Sequence, residues 1–177
     1  MWFDHLETGP AADRPDLLAA PVAAAIAAVP EALVFAIDPA LADTERLCAE
    51  LGLPLQTSAN AVLVTGRRAG QERAVCCMTL AHRRVDVNNV VRRRLDVRKC
   101  SFASLERAVE ASGMEYGGIT PVGLPADWPV WVDAQVADTD WVCVGSGLRR
   151  SKLLLPGAAL LRLPGASRVE GLAFDPV

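Results

Sequence analysis

Apolar residues in the first third of the chain come in short bursts cut by proline and acid, and their spacing predicts short elements. An alanine-rich helix is expected from about Ala11 to Val29, restarted at Pro21, where the ring cannot continue a helix already begun. Leu33 to Ile37 is a run of strand formers. Asp38-Pro39 then turns the chain into a helix over Asp43–Leu51, with Gly52 placed to end it. Asn60–Thr65 and Ala74–Leu80 carry the apolar, partly β-branched texture of paired strands. The Gly66-Arg67-Arg68-Ala69-Gly70 segment between them predicts a hairpin.

Helical spacing resumes after Asp86, a residue suited to capping, at Val87, Val90, Val91 and Leu95. A strand at Lys99–Phe102 and a helix at Ser104–Ser112, stopped by Gly113, follow. A glycine- and proline-rich loop then runs to Pro129. Strands are expected at Val130–Val132, Trp141–Val144 and Lys152–Leu155, with a last short helix and strand. Strands and helices alternate irregularly through short links. That favours an α+β fold, a curled mixed sheet with helices outside it, over a doubly wound parallel sheet.

Composition narrows the class. At 177 residues and 51 % hydrophobic, one well-filled domain is expected, and no apolar run is long enough for a spanning helix. The N-terminus lacks the basic and apolar regions of a secretory signal, which points to the cytoplasm. Five scattered or adjacent cysteines without a CxxC suit reduced thiols better than a metal site. On a strand, Cys76 and Cys77 would face opposite ways. Charge is uneven: acids dominate residues 1–50, and a basic block (Arg83, Arg84, Arg92, Arg93, Arg94, Arg98, Lys99, Arg107) fills 83–107. Such a block suits either a phosphate backbone or a solvated face.

Two glycine-rich loops carry the candidate chemistry. In the first, Gly117-Gly118 allow close backbone approach to a ligand, Pro121 stiffens the exit and Gly123 turns the chain again. Such a loop aims N–H groups at a carbonyl oxygen or phosphate, or simply turns the chain. The second, Gly145-Ser146-Gly147, precedes Arg149 and Lys152 but lacks the nucleotide-binding GxxxxGK[ST] pattern. Asp86 and Asp133 suit a pair of catalytic carboxylates or, more simply, capping and turn roles. Tyr116, Trp128 and Trp131 suit either base stacking or packing.

The order of Asn60–Val64, Arg84–Asn89, Ser101–Ser104, Gly117–Gly123, Val132-Asp133 and Val144–Gly147 resembles the YbaK/EbsC family. That family comprises free-standing aminoacyl-tRNA deacylases and the editing domain of bacterial prolyl-tRNA synthetases. The resemblance spans roughly residues 33–172, so residues 1–30 stand as an N-terminal helical extension to an editing domain over 31–177. It implies a barrel-like mixed sheet and hydrolysis of a mischarged tRNA without metal or cofactor. Gly117 and Gly118 would supply the backbone donors, and the substrate's ribose hydroxyl would assist the attacking water. Ser146, Gly145, Gly147, Pro121, Arg149 and Lys152 would contact substrate. One departure stands out: Asn60, or Ala59 in a register shifted by one residue, occupies the position of the family's pocket lysine, with Arg149 or Lys152 as candidate replacements for the charge.

Three functions from different classes follow. One is trans-editing hydrolysis, and another is a catalytically degenerate member that binds tRNA or an aminoacyl-adenosine-like ligand without turnover. The last is a scaffold or partner-binding protein that uses an apolar face around Leu17, Leu18, Val22 and Ile26; a homodimer is a candidate assembly.

Overall fold

The computed structural model describes residues 1–176. In chain order its elements are β1 (Gly9–Pro10), α1 (Ala20–Ala25), β2 (Leu33–Ala36), α2 (Thr44–Leu51), β3 (Ala59–Arg68) and β4 (Gln71–Leu80). There follow β5 (Arg84–Val85), α3 (Arg92–Arg94), β6 (Cys100–Phe102), α4 (Leu105–Ser112), β7 (Val130–Asp133) and α5 (Ala134–Ala137). The chain ends with β8 (Val142–Gly145), β9 (Ser151–Leu155), β10 (Ala166–Val169) and β11 (Ala173–Phe174).

The best-formed helices are those with complete caps. Asp43 accepts the Arg46 N–H at 3.1 Å to start α2, and Ser104 accepts the Arg107 N–H at 3.2 Å to start α4. Gly52 and Gly113 close them in the left-handed region. The predicted long N-terminal helix is instead broken. Single 3₁₀ turns at Ala11–Asp13 and Pro15–Leu17 precede the six-residue α1, and another follows it at Ile26–Ala28. Pro15 and Pro21 each lie at the start of one of these pieces, where a missing N–H costs nothing. The segment after Asp86 also departs from a regular helix: Val87–Val91 is wound as a π-helix before α3.

The hairpin is longer than its apolar pattern predicts. Strands β3 and β4 pair in register from Ala59↔Leu80 to Arg68↔Gln71, and the turn is Ala69-Gly70, with φ of 51° and 81°. Gly66 lies inside the strand, opposite Cys100 of β6.

The fold is mixed α+β, as the element pattern predicts, but the sheets do not close into a barrel. A five-stranded mixed sheet runs β10-β7-β4-β3-β6, a four-stranded antiparallel sheet runs β1-β2-β9-β8, and β11 pairs with β5. A single parallel bridge, Ser58 to Cys143, stitches the two larger sheets where β3 begins. Between them lies the main core, which includes Leu63, Cys76, Met78, Val132, Val144 and Leu153. A second cluster under α3 holds Val64, Cys77 and Trp131, and a third under α2 holds Phe35, Leu47, Cys143 and Leu154. Cys76 and Cys77 thus do face opposite sides of β4.

Leu17, Leu18, Val22 and Ile26 belong to the main core and are buried. They do not form an exposed face, which corrects the expectation of a docking surface there: a solvated stripe of this size would forfeit the burial that its neighbours on β8 and β9 provide. No helix among the described residues is long and apolar enough to cross a membrane.

Candidate functional site

At the junction of the two sheets, beneath the start of α2, lies a cavity of about 440 Å³. Three segments build its walls. The turn before α2 and the helix itself bring Ala42, Asp43, Thr44 and Arg46. The root of β3 brings Ser58 to Ala61, and the first glycine loop brings Tyr116, Gly117 and Ile119. Across from these stand Cys143 to Gly145 of β8, Arg149 and Lys152. Of the residues singled out in the sequence, Asn60, Gly117, Gly145, Arg149 and Lys152 therefore meet around one cavity.

Gly118, Pro121, Ser146 and Gly147 are not in its lining. The two glycine loops are packed against each other, which explains why. The Gly147 N–H donates to the Gly118 carbonyl at 2.7 Å, and the Glu115 N–H donates to the Gly147 carbonyl at 2.9 Å. The Gly118 N–H is itself committed to the Glu115 carbonyl at 2.9 Å. The expected pair of free backbone donors is thereby reduced to one, because the turn that presents Gly117 consumes the next amide. Among the described residues the Gly117 N–H meets no protein acceptor. Ser146 is fully buried and its hydroxyl bonds with the Ser151 hydroxyl at 2.7 Å, so it braces the second loop from behind.

Each polar group on the wall has a defined setting. Asn60 Oδ1 accepts the Thr44 hydroxyl at 2.8 Å, which leaves the Asn60 NH₂ as its remaining donor group. Arg149 reaches over Gly117: its guanidinium donates to the Tyr116 carbonyl at 3.0 Å and the Pro39 carbonyl at 3.1 Å. Its backbone N–H donates to Glu115 Oε2 at 2.6 Å. Lys152 is 5 % exposed, and its ammonium donates to the Ala42 carbonyl at 3.1 Å and the Gly117 carbonyl at 3.3 Å. Burial lowers its pKa from the ordinary lysine value. Burial pushes the neighbouring Cys143 thiol up to about 12, more than Lys152 pulls it down, so that thiol stays neutral.

Other singled-out residues serve the fold. Asp133 is buried, caps α5 through the Gln135 N–H, and takes an ion pair from Arg83 at 2.7 Å. Asp86 caps the π-helical turn through the Asn89 N–H. Trp128 and Trp131 are buried, with Arg107 and Arg94 stacked over them, whereas Tyr116 is exposed at the cavity. In the basic block, Arg83 and Arg107 are ion-paired. Arg84, Arg92, Arg93, Arg98 and Lys99 have no carboxylate within 4.0 Å among the described residues. No group of three or more potential metal ligands occurs among the described residues. Thr44 and Arg46 of α2 have no local motif that marks them. Their place shows only in the assembled cavity, which both line and where Thr44 pairs with Asn60 across 16 residues of sequence.

The family model of the aminoacyl-tRNA editing domain matches residues 38–163, a stretch that contains every cavity residue named above. A solved structure described as a candidate trans-editing enzyme for prolyl-tRNA synthetase is similar in fold, with a TM-score of 0.72 and 19 % identity over 86 % of this chain and 94 % of that one. The protein APE2540 gives 0.65 and 20 %, over 75 % and 85 %. A candidate signal transduction protein from Marinobacter aquaeolei VT8 gives 0.58 and 17 %, with this chain covering 88 % of itself and 30 % of that chain. No curated protein matches the sequence.

Proposed function

Since the chain belongs to the aminoacyl-tRNA editing domain family, we propose that it is a trans-editing deacylase that hydrolyses the ester of a mischarged tRNA in the cytoplasm. The observation that carries this reading is the convergence of Asn60, Gly117, Gly145, Arg149 and Lys152 on one cavity where the two sheets meet. The Gly117 N–H is the backbone donor to the ester carbonyl, and the Asn60 NH₂ group holds the terminal ribose. Water attacks with help from the ribose hydroxyl beside the ester, so neither a metal nor a cofactor takes part. One well-placed donor of this kind contributes roughly 100- to 1000-fold in rate.

The cavity suits this chemistry because its donors are fixed before substrate arrives. Thr44 orients Asn60, the interlocked glycine loops hold Gly117, and Arg149 bridges the first loop to the turn before α2. The test is deacylation of a panel of mischarged tRNAs by the purified protein. Hydrolysis of at least one member well above the buffer rate is expected, and a buffer-level rate for every member would remove the assignment.

The asparagine at position 60 favours a second reading, a binding protein without turnover. Tight, salt-sensitive tRNA binding with no hydrolysis would select it.

A further inference from the structure

Lys152 is a buried cation with no anion beside it. Its side chain lies inside the wall of the cavity, and both of its protein partners are carbonyl oxygens, of Ala42 and Gly117. No carboxylate comes within 4.0 Å of it among the described residues. The other groups that act on it electrostatically are Asp43, Arg149, Cys48 and Cys143. Asp43 is the one carboxylate among these groups, and it is engaged in capping α2 through the Arg46 N–H. Arg149 repels the ammonium, and Cys143 is held as a neutral thiol. Removing an ammonium from water without a counter-charge is strongly unfavourable. An ammonium also has three N–H donors, and two are spent.

The position of the charge says what it is for. The Lys152 nitrogen is bonded to the carbonyl of Gly117, the residue whose own N–H is free. Lys152 and Gly117 both line the cavity, so a charged donor and an uncommitted backbone donor belong to adjoining residues of its wall. A neutral ester carbonyl gains little from such a pair, whereas an oxyanion gains much, because its charge appears next to a cation that nothing else has neutralised.

We propose that Lys152 is a catalytic residue that, together with the Gly117 N–H, receives the negative charge formed on the ester carbonyl oxygen. This rests on the deacylase reading and adds a charged donor to it. Water oxygen bonds to the carbonyl carbon, and the carbonyl π pair moves onto oxygen beside Lys152. The pair then returns as the bond between carbon and the ribose oxygen breaks. The proton lost by water passes through the neighbouring hydroxyl to that ribose oxygen. Ester and water become amino acid and free tRNA, and Lys152 ends as it began.

The test pairs turnover with binding. Lys152→Met keeps the length and apolar stem and removes the charge. Its kcat on a mischarged tRNA is expected to fall 100- to 1000-fold, the scale of one oxyanion donor, with KM within about threefold. A raised KM at unchanged kcat, or unchanged kinetics, overturns the proposal. Independently of turnover, the wild-type protein should bind an adenosine bearing an anionic, tetrahedral 3′-phosphonate at least 100-fold more tightly than the matching neutral 3′-amide, and Lys152→Met should bind the two alike. Equal binding of both probes by wild type overturns the proposal even if the variant does not fold. The two failures are distinguishable. A wild-type protein without turnover that still prefers the phosphonate loses the deacylase assignment, and with it the catalytic role of Lys152, while the anion site at Lys152 stands. An active wild type matched by an active Lys152→Met loses only the role of Lys152.

Discussion

Gly117 and Gly145 both line the cavity, yet they are glycines for different reasons. A Cβ on Gly145 would lie 2.2 Å from the Gly118 carbonyl oxygen and 2.6 Å from that of Ile119. Both are backbone atoms of the facing loop and cannot rotate away. Gly117 has φ of 83°, and its Cβ would meet the guanidinium of Arg149 at 2.8 Å, the movable end of a long side chain. Gly117→Ala therefore carries mainly the cost of a left-handed backbone, about 1 kcal/mol. Gly145→Ala forces the loops apart and is expected to cost about 3 kcal/mol, at the upper end of overpacking effects. Urea midpoints of the two variants check this order. A Gly145→Ala protein as stable as Gly117→Ala would show that the loops do not interlock in solution.

Between elements, the clearest dependence is that of β7 and α5 on Arg83. Its guanidinium, only 9 % exposed, reaches Asp133 at 2.7 Å, the Ala173 carbonyl at 2.7 Å and Asp175 at 2.9 Å. It thereby ties the end of β7 to β11. Arg83→Leu would leave the Asp133 carboxylate buried without its cation, and a loss of about 3 kcal/mol is expected, the scale seen when one partner of a buried pair is removed. Arg83→Leu combined with Asp133→Asn should recover part of that loss in urea unfolding. No recovery would mean that the charge is not what Arg83 supplies. The element scale also shows what a sequence can reveal. Helices α2 and α4 were legible because Asp43, Gly52, Ser104 and Gly113 act on their immediate neighbours. The hairpin turn was misplaced because Gly66 resembles a turn residue. It is a glycine because a Cβ there would lie 2.8 Å from the Lys99 carbonyl oxygen and 2.8 Å from Val97 of the segment leading to β6, a contact with no local signature. Asn60 and Gly117 stood out through the ordered motifs, whereas Thr44 and Cys143 enter the cavity only through sheet assembly.

For the whole molecule, the buried thiols set the alkaline limit of stability. Burial pushes Cys77 and Cys143 from the ordinary value of 9.0 up to about 12, and Cys76 also shifts upward. The unfolded chain therefore loses these protons first. Their contribution is fully present below pH 9 and disappears as pH climbs towards 12. Lys152 acts in the opposite sense: its pKa is lowered on folding, so its term rises with pH until the unfolded amine titrates near 10.5. Three thiols oppose one amine, so a net loss is expected. At pH 10 Cys77 and Cys143 each remove on the order of 1 kcal/mol relative to pH 8, and Cys76 acts in the same direction. Urea unfolding at the two values should show the drop, and Cys143→Ala should reduce it; a flat profile would contradict the burial.

The N-terminal segment is the last whole-molecule question, and its packing argues against treating residues 1–30 as a removable extension. Leu17, Leu18, Val22, Ile26 and Val29 lie in the core between the two sheets. At about 1.5–3 kcal/mol per buried side chain, these five contribute roughly 8–15 kcal/mol, as much as the entire net stability of a typical domain, about 5–15 kcal/mol. The segment also supports the loop behind the cavity. The Ala19 N–H donates to the Ser146 carbonyl at 3.1 Å, and the Ser151 hydroxyl donates to the Leu17 carbonyl at 2.6 Å. A Cβ on Gly147 would lie 2.4 Å from that of Ala19, so loop and segment are shaped to each other. The chain restricted to residues 31–177 is therefore expected to lose its cooperative urea transition, and with it any activity of the cavity. A sharp transition at the full-length midpoint would show that the editing fold stands without its first thirty residues.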